Sequence, residues 1–406
     1  MRIHNCRSCK SKKIIKAFSL GKQFLTGIFP ENKNVKISNG FLSLVLCKNC
    51  KLLQLENSFK AEEMYGENYG YMSSLNKSMF DHLNQKVSKL KKKINLKPKD
   101  LIIDIGSNDG TFLSFFSKQF NLVGIDPTIK KFSKFYRRDI KKIPSFFNKK
   151  EINKITSKKA KLITSIAMFY DLEDPIKFAN DIYDLLSVHG VWHLELSYMP
   201  SMIKNVSYDT ICHEHLEYYS LTSIKYIFDK VGFKIIDIEF NDINGGSFAL
   251  TVAKKKSKIK ESKMIVKWLL NKEKNLKINE IETFKEFYKK CLQQKYELNS
   301  LLKNLKKMNK KVYGYGASTK GNVILQFCNI NRSKVRFIGE VNKYKYNKIT
   351  PGSKIDIISE KKLRQLKPDY LLVLPWHFKN FILNKEKEYL KSGVKFIFPL
   401  PEIQIV

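Results

Sequence analysis

Residues 101–116, LIIDIGSNDGTFLSFF, decide the fold. A short apolar run carrying Asp104 leads into Gly106, Ser107, Asn108, Asp109 and Gly110, and a second apolar segment follows. A buried strand that turns sharply through glycines lets backbone approach a ligand where a side chain would clash. Working outward, NLVGID, KLITSIAMF and VWHLELS are further runs of strand length, separated by stretches read as helical, FLSFFSKQF and IKFANDIYDLL. Strands alternating with helices of that length predict an α/β fold built on a doubly wound parallel sheet.

The strand after the glycine turn ends in Asp126, where a carboxylate can accept both hydroxyls of a ribose. A dinucleotide fingerprint would be Gly-x-Gly-x-x-Gly, and two acids at the turn, Asp104 and Asp109, would repel a pyrophosphate. S-adenosylmethionine has no phosphate and carries cationic sulfonium and amino groups. The turn therefore predicts this cofactor, held by Asp104, Gly106, Ser107, Asn108, Gly110 and Asp126. Phe146 and Phe147, after the third candidate strand, are placed either to sandwich the adenine or to join the core.

The chain has 406 residues, with 75 Lys plus Arg against 38 Asp plus Glu, a formal net charge of +37. Hydrophobic residues make up 43% and aromatics 12%, which is globular composition and not that of a basic tail. Only seven residues are arginine, and the lysines are dispersed, so the charge reads as solvated surface without a nucleic-acid groove. A small anionic substrate is favoured. No apolar stretch reaches the roughly eighteen residues of a membrane span, and MRIHNCRSCK has no signal-peptide core. The expected location is the cytoplasm, without membrane insertion.

The length suggests two or three domains. Cys6-x2-Cys9 and Cys47-x2-Cys50 supply four thiolates for one tetrahedral, structural zinc in a small first domain over residues 1–65. A methyl-donor-binding α/β domain is expected over residues 66–255 and a helical connector over 256–310. A second, Rossmann-like strand, glycine turn and helix pattern begins with KVYGYGASTKGNVILQF and occupies residues 311–406.

Between the strands, YDTICHEHLEYYS places Cys212, His213, Glu214 and His215 consecutively. Three readings remain open for them: a general base with a carboxylate that orients it, a metal site, or satisfied structural histidines. Asn244, Gly245, Gly246 and Ser247 read as a hairpin turn.

Taken together, the paired Cys-x2-Cys, YGYMSS, DIGSNDGTFL, GIDPT, YDTICHEHLEYYSL, NGGSF, GYGASTKGN and PDYLLVLPWHF resemble, in that order, the three-domain S-adenosylmethionine-dependent sugar C-methyltransferase family. The resemblance implies methylation of a carbon next to a ketone on a nucleotide-linked deoxysugar, in surface-polysaccharide or glycoconjugate biosynthesis. It implies His215 as the base that makes the enolate, with His213 and Glu214 in the same group and a tyrosine, Tyr71 or else Tyr69, entering from the zinc-domain side. Asn244, Gly246, Tyr315, Gly316, Lys320, Asn322 and Glu340 fall on the implied nucleotide-sugar side, and a monomer is expected. Two departures stand out: Cys212 replaces a tyrosine before His-Glu-His, and MFYDLEDP lacks a histidine that the comparators tend to carry.

Rival readings require different features. An O-methyltransferase would act on an oxygen of a sugar or related small anion. An RNA methyltransferase would need stacking aromatics on a basic face. An NAD-dependent oxidoreductase using the C-terminal glycine turn would need its acid-base pair there, and the clustered histidines lie in the other half.

Overall fold

The computed structural model describes residues 1–65, 71–75 and 77–406. Within them β1 (Ile14–Phe24), β2 (Asn39–Cys47) and β3 (Leu53–Leu55) form an antiparallel sheet whose fourth strand, Glu217–Tyr218, arrives from far along the chain. The central sheet follows, from β4 (Leu101–Ile105), β5 (Asn121–Ile125), β6 (Lys141–Ile143), β7 (Ala160–Ile166) and β8 (Leu186–Ser197). Glu217–Tyr218 is β9, and β10 (Phe233–Asn241) with β11 (Ser247–Lys254) completes the central sheet in the order β10-β11-β8-β7-β4-β5-β6. The strands from β4 to β8 are parallel and β11 runs antiparallel to β8. The chain steps from β4 outward to β5 on one side and to β7 on the other. The ends of these strands therefore open a crevice at a topological switch point, where ligands of such sheets bind.

FLSFFSKQF departs from its expected helix. The helix covers only Thr111–Ser114, after which Phe116 donates its amide to Leu113 and the chain turns into β5. Phe112 and Phe116 bury against the core, and burial of both rings overrides the helical spacing. Pro175–Leu185 forms the expected helix, capped by the Asp174 side chain, which accepts from the Lys177 amide at 3.0 Å.

The third sheet contains β12 (Val312–Tyr315), β13 (Phe337–Glu340), β14 (Asp356–Ser359), β15 (Tyr370–Val373), β16 (Lys395–Phe398) and β17 (Gln404–Ile405), in the order β14-β13-β12-β15-β16-β17. The long helix Ile281–Lys307 does more than connect. Its buried Phe284, Phe287, Cys291 and Leu298 share one core with β1, β2 and the third sheet, and Phe18 meets Phe287 at 5.5 Å. Gln294 on the same face accepts from the Tyr208 hydroxyl at 2.5 Å and donates to Pro399 O at 2.8 Å. Among the described residues, no helix is long and apolar enough to cross a membrane.

Candidate active site

At the end of β4, buried Asp104 accepts from Thr164 Oγ1 at 2.6 Å, and burial pushes its carboxyl up to about 7. Gly106 continues the turn and donates its amide to Ile125. Gly110 has φ +77°, and a Cβ there would stand 2.8 Å from the Tyr136 ring, so only glycine fits. The Tyr136 hydroxyl lies 2.7 Å from Ser107 Oγ and donates to Asn108 O at 3.0 Å, which pins the turn. Asp126 accepts from the Asn108 amide at 3.0 Å, the Thr128 amide at 2.7 Å and the Thr128 hydroxyl at 2.6 Å. Burial raises the Asp126 carboxyl as well. Two acids at a crevice of this shape suit a cationic, phosphate-free ligand, so the donor set fits S-adenosylmethionine.

Residues 71–75 form a strap across this turn. Asn108 donates from Nδ2 to Tyr71 O at 3.2 Å and accepts from the Ser73 amide at 3.0 Å, while Asp109 accepts from the Ser74 amide at 3.0 Å. Tyr71 keeps 45% of its surface exposed. Tyr69 lies outside the described residues. Phe147 packs on Phe178 at 4.7 Å, whereas Phe146 is exposed.

The His-Glu-His run is split between two surroundings. His213 is fully buried, and its ring meets Phe59 edge-on at 4.6 Å on the side of the first sheet. Burial lowers it to about 4. Glu214 accepts from Thr26 Oγ1 at 3.3 Å, and its Oε1 fills the space beside Gly27. Burial raises its carboxyl. His215 has other neighbours, its ring meeting Tyr170 edge-on at 4.4 Å. Its Nδ1 lies 2.7 Å from Thr210 O, and a carbonyl only accepts, so Nδ1 carries the proton and Nε2 keeps its lone pair. Burial, with the Lys320 charge behind it, lowers His215 to about 4, so the ring is neutral near pH 7. His189 is exposed, and His193 is buried at 2.9 Å from Thr251 Oγ1, so neither takes part in the His215 cluster.

The third sheet closes over this point. Lys320, at the start of the helix Thr319–Phe327, reaches across and donates to Asn244 O at 2.6 Å. Trp376 Nε1 donates to Asp209 Oδ2 at 2.8 Å, and Asp209 immediately precedes the residue that holds His215. The structure thus brings together His215, Lys320 and Asn244, with Gly246 completing the Asn244 turn. The remaining residues expected on the sugar side do other work. Tyr315 donates its hydroxyl to Glu386 at 2.8 Å inside the third sheet's own core. Gly316 makes room for Pro375, which would stand 2.7 Å from a Cβ there. Asn322 donates to Thr26 O at 2.7 Å and ties the first sheet to the third. Glu340 accepts from the amides of Ala317, Val341 and Asn342 at 2.8, 2.8 and 2.9 Å, which closes the glycine turn.

Sequence reasoning did not single out Asp209, Thr26 or His377. An acid within YDTIC, where no basic residue answers it, was the available signal for Asp209. Thr26 carries no local signal. An enclosed cavity beside His215, lined also by Tyr170, Thr210 and Glu217, has a volume of only about 10 Å³, the lower limit for one water, so it is not where a sugar sits.

The sulfurs of Cys6, Cys9, Cys47 and Cys50 all lie within 4.8 Å of one another, the closest pairs at 3.5 and 3.4 Å. Four thiols at the corners of so small a cluster fit a tetrahedral zinc, closed to substrate. Gln54 supports the cluster by donating to Cys6 Sγ at 3.1 Å. Among the described residues this is the one metal-ligating group of its kind.

Three family models match the chain in order: a zinc binding domain over residues 6–65, a methyltransferase domain over 75–238 and a C-methyltransferase C-terminal domain over 242–401. The C-methyltransferase NovU of Streptomyces niveus is 29% identical over 409 residues, spanning 100% of this chain and 97% of that protein. Among solved structures, an S-adenosylmethionine-dependent methyltransferase from Clostridium acetobutylicum aligns at 14% identity over 43% of this chain and 92% of its own, with a TM-score of 0.35. Magnesium protoporphyrin IX methyltransferase from Synechocystis aligns at 12% identity over 43% and 79%, with a TM-score of 0.33.

Proposed function

Because the chain belongs to the three-domain S-adenosylmethionine-dependent C-methyltransferase family, we propose that it methylates the carbon next to a ketone on a nucleotide-linked deoxysugar. The product would serve surface-polysaccharide or glycoconjugate biosynthesis. S-adenosylmethionine supplies an electrophilic methyl group, and the protein must make the acceptor carbon nucleophilic. A carbon next to a ketone becomes so when a base removes its proton and the charge spreads onto oxygen. His215 supports this reading because Thr210 O holds its Nδ1 proton at 2.7 Å and leaves Nε2 free to accept one. His213 and Glu214, packed against the first sheet, act as supports that fix the turn. Tyr71 is carried to the crevice mouth by the strap.

The test is methyl transfer from labelled S-adenosylmethionine to a panel of dTDP-, UDP- and GDP-linked keto-deoxysugars, with His215→Gln as control. Label appearing on carbon only with intact His215 supports the proposal. Label on a sugar oxygen would favour the O-methyl reading, to which Cys212 in place of tyrosine also points. Transfer that survives His215→Gln removes the base from the mechanism.

A further inference from the structure

We infer that Lys320 is the group that stabilises the enolate oxygen formed when His215 takes the acceptor's proton, so that the third sheet completes the catalytic site. The inference rests on the ketone chemistry proposed above. A lysine at the start of a helix after a glycine turn would ordinarily serve phosphate in that turn. Here the side chain leaves the turn and donates to Asn244 O, 2.6 Å away, on the hairpin of the central sheet. An ammonium has three donors, and one is used there.

The groups around it are those of a reaction site. Helix Thr319–Phe327 packs on the turn Tyr208–Thr210, the same turn whose Thr210 carbonyl fixes the His215 tautomer. Asp209 in that turn is fully buried, one oxygen held by Trp376 at 2.8 Å and the other without a hydrogen-bond partner among the described residues. His377, next to Trp376, likewise has an unpartnered Nδ1. Lys320 charge acts on His215, Asp209 and His377 alike, lowering both imidazoles and holding the Asp209 carboxyl below where burial alone would put it. The turn that orients the base thus packs against the helix that carries the ammonium, close enough for the Lys320 charge to act on the His215 ring.

The step balances as follows. His215 Nε2 takes the proton from the carbon next to the ketone, and the C–H electron pair becomes the enolate double bond while the carbonyl pair moves to oxygen, opposite Lys320. The enolate carbon then forms its bond to the methyl carbon, the methyl–sulfur bond breaks with its pair going to sulfur, and the ketone returns. His215 leaves the step protonated and releases its proton to solvent.

Enolate formation can be read without methyl transfer, as exchange of the carbon-bound proton with deuterated water in the presence of S-adenosylhomocysteine. The probes are the dTDP-, UDP- and GDP-linked 4-keto-6-deoxy sugars at saturation, with calorimetry of dTDP, UDP and GDP alongside. Wild type exchanges one of them, and His215→Gln does not. Lys320→Met slows exchange by about 10²–10³, the usual loss for one oxyanion donor. Lys320→Arg retains most of it, and unchanged S-adenosylhomocysteine affinity shows that the variants fold. Lys320→Leu, which likewise lacks a donor, stands in should the methionine variant fail to fold. Wild-type exchange in Lys320→Met or Lys320→Leu, with only the nucleotide affinity reduced, overturns the inference and leaves the ketone reading standing. Absence of exchange in the wild type with every probe overturns both.

Discussion

Replacing Asp126 probes the cofactor crevice at its most constrained point. A carboxylate offers about four lone-pair directions. Three are filled: Oδ1 accepts from the Thr128 amide at 2.7 Å and its hydroxyl at 2.6 Å, and Oδ2 accepts from the Asn108 amide at 3.0 Å. One direction remains on Oδ2, so Asp126 can make a single well-aligned bond to the cofactor ribose, where the sequence suggests two. A hydrogen bond to a charged group contributes about 1.5–3 kcal/mol, which makes Asp126→Asn weaken S-adenosylhomocysteine binding by about 10- to 150-fold. Asp126→Ala does further damage, because it strands three donors at about 1–3 kcal/mol each and loosens the turn. Calorimetry with S-adenosylhomocysteine and its 2′-deoxy and 3′-deoxy forms, run beside thermal unfolding, separates the two effects. In the wild type only one deoxy analogue loses affinity by that factor, and the same analogue loses little more in Asp126→Asn. Equal losses from both analogues, or an Asn variant that binds like the wild type, would refute the lone-pair count.

Three further outcomes follow from the geometry. The purified chain carries one zinc, and removing it lowers the unfolding temperature and abolishes methyl transfer together, because β3 pairs with β9, two residues beyond His215; metal analysis with circular dichroism checks this, and unchanged unfolding would contradict it. His213 is lowered to about 4 by burial, while an unfolded histidine titrates near 6.5, so its neutral burial costs stability as pH falls from 6.5 through 4. His213→Gln flattens the urea-derived stability profile in that window by up to about 1.4 kcal/mol per pH unit, and an unaltered slope argues against it. Buried Glu273 accepts from Tyr198 Oη at 2.7 Å, the amides of Leu221 and Thr222 at 2.7 and 2.9 Å, and Thr222 Oγ1 at 2.6 Å. Glu273→Ala therefore costs about 3 kcal/mol or more in chemical denaturation, and Glu273→Gln less.

Features that depend on neighbours along the chain were legible in the sequence. The turn after β4, the acid at the end of β5, the Asn244 hairpin and the two Cys-x2-Cys pairs are local, because glycine conformation, strand alternation and ligand spacing act over a few residues. Even there, FLSFFSKQF kept helical spacing but only four residues of helix, since burying Phe112 and Phe116 outweighed propensity.

What tertiary structure alone decided is which distant groups meet. Tyr315 and Lys320 sit five residues apart in one motif, yet the first turns into its own core to Glu386 and the second crosses to Asn244. His213 and His215 are separated by one residue, yet one is sealed against Phe59 and the other is oriented by Thr210. The sequence by itself determined the α/β class, the cysteine cluster and the cofactor crevice, whose determinants are short-range. The meeting of His215, Asp209 and Lys320 depended on the packing of the third sheet against the central one, because Lys320 is directed by Asn244, 76 positions away, and Asp209 by Trp376, 167 positions away.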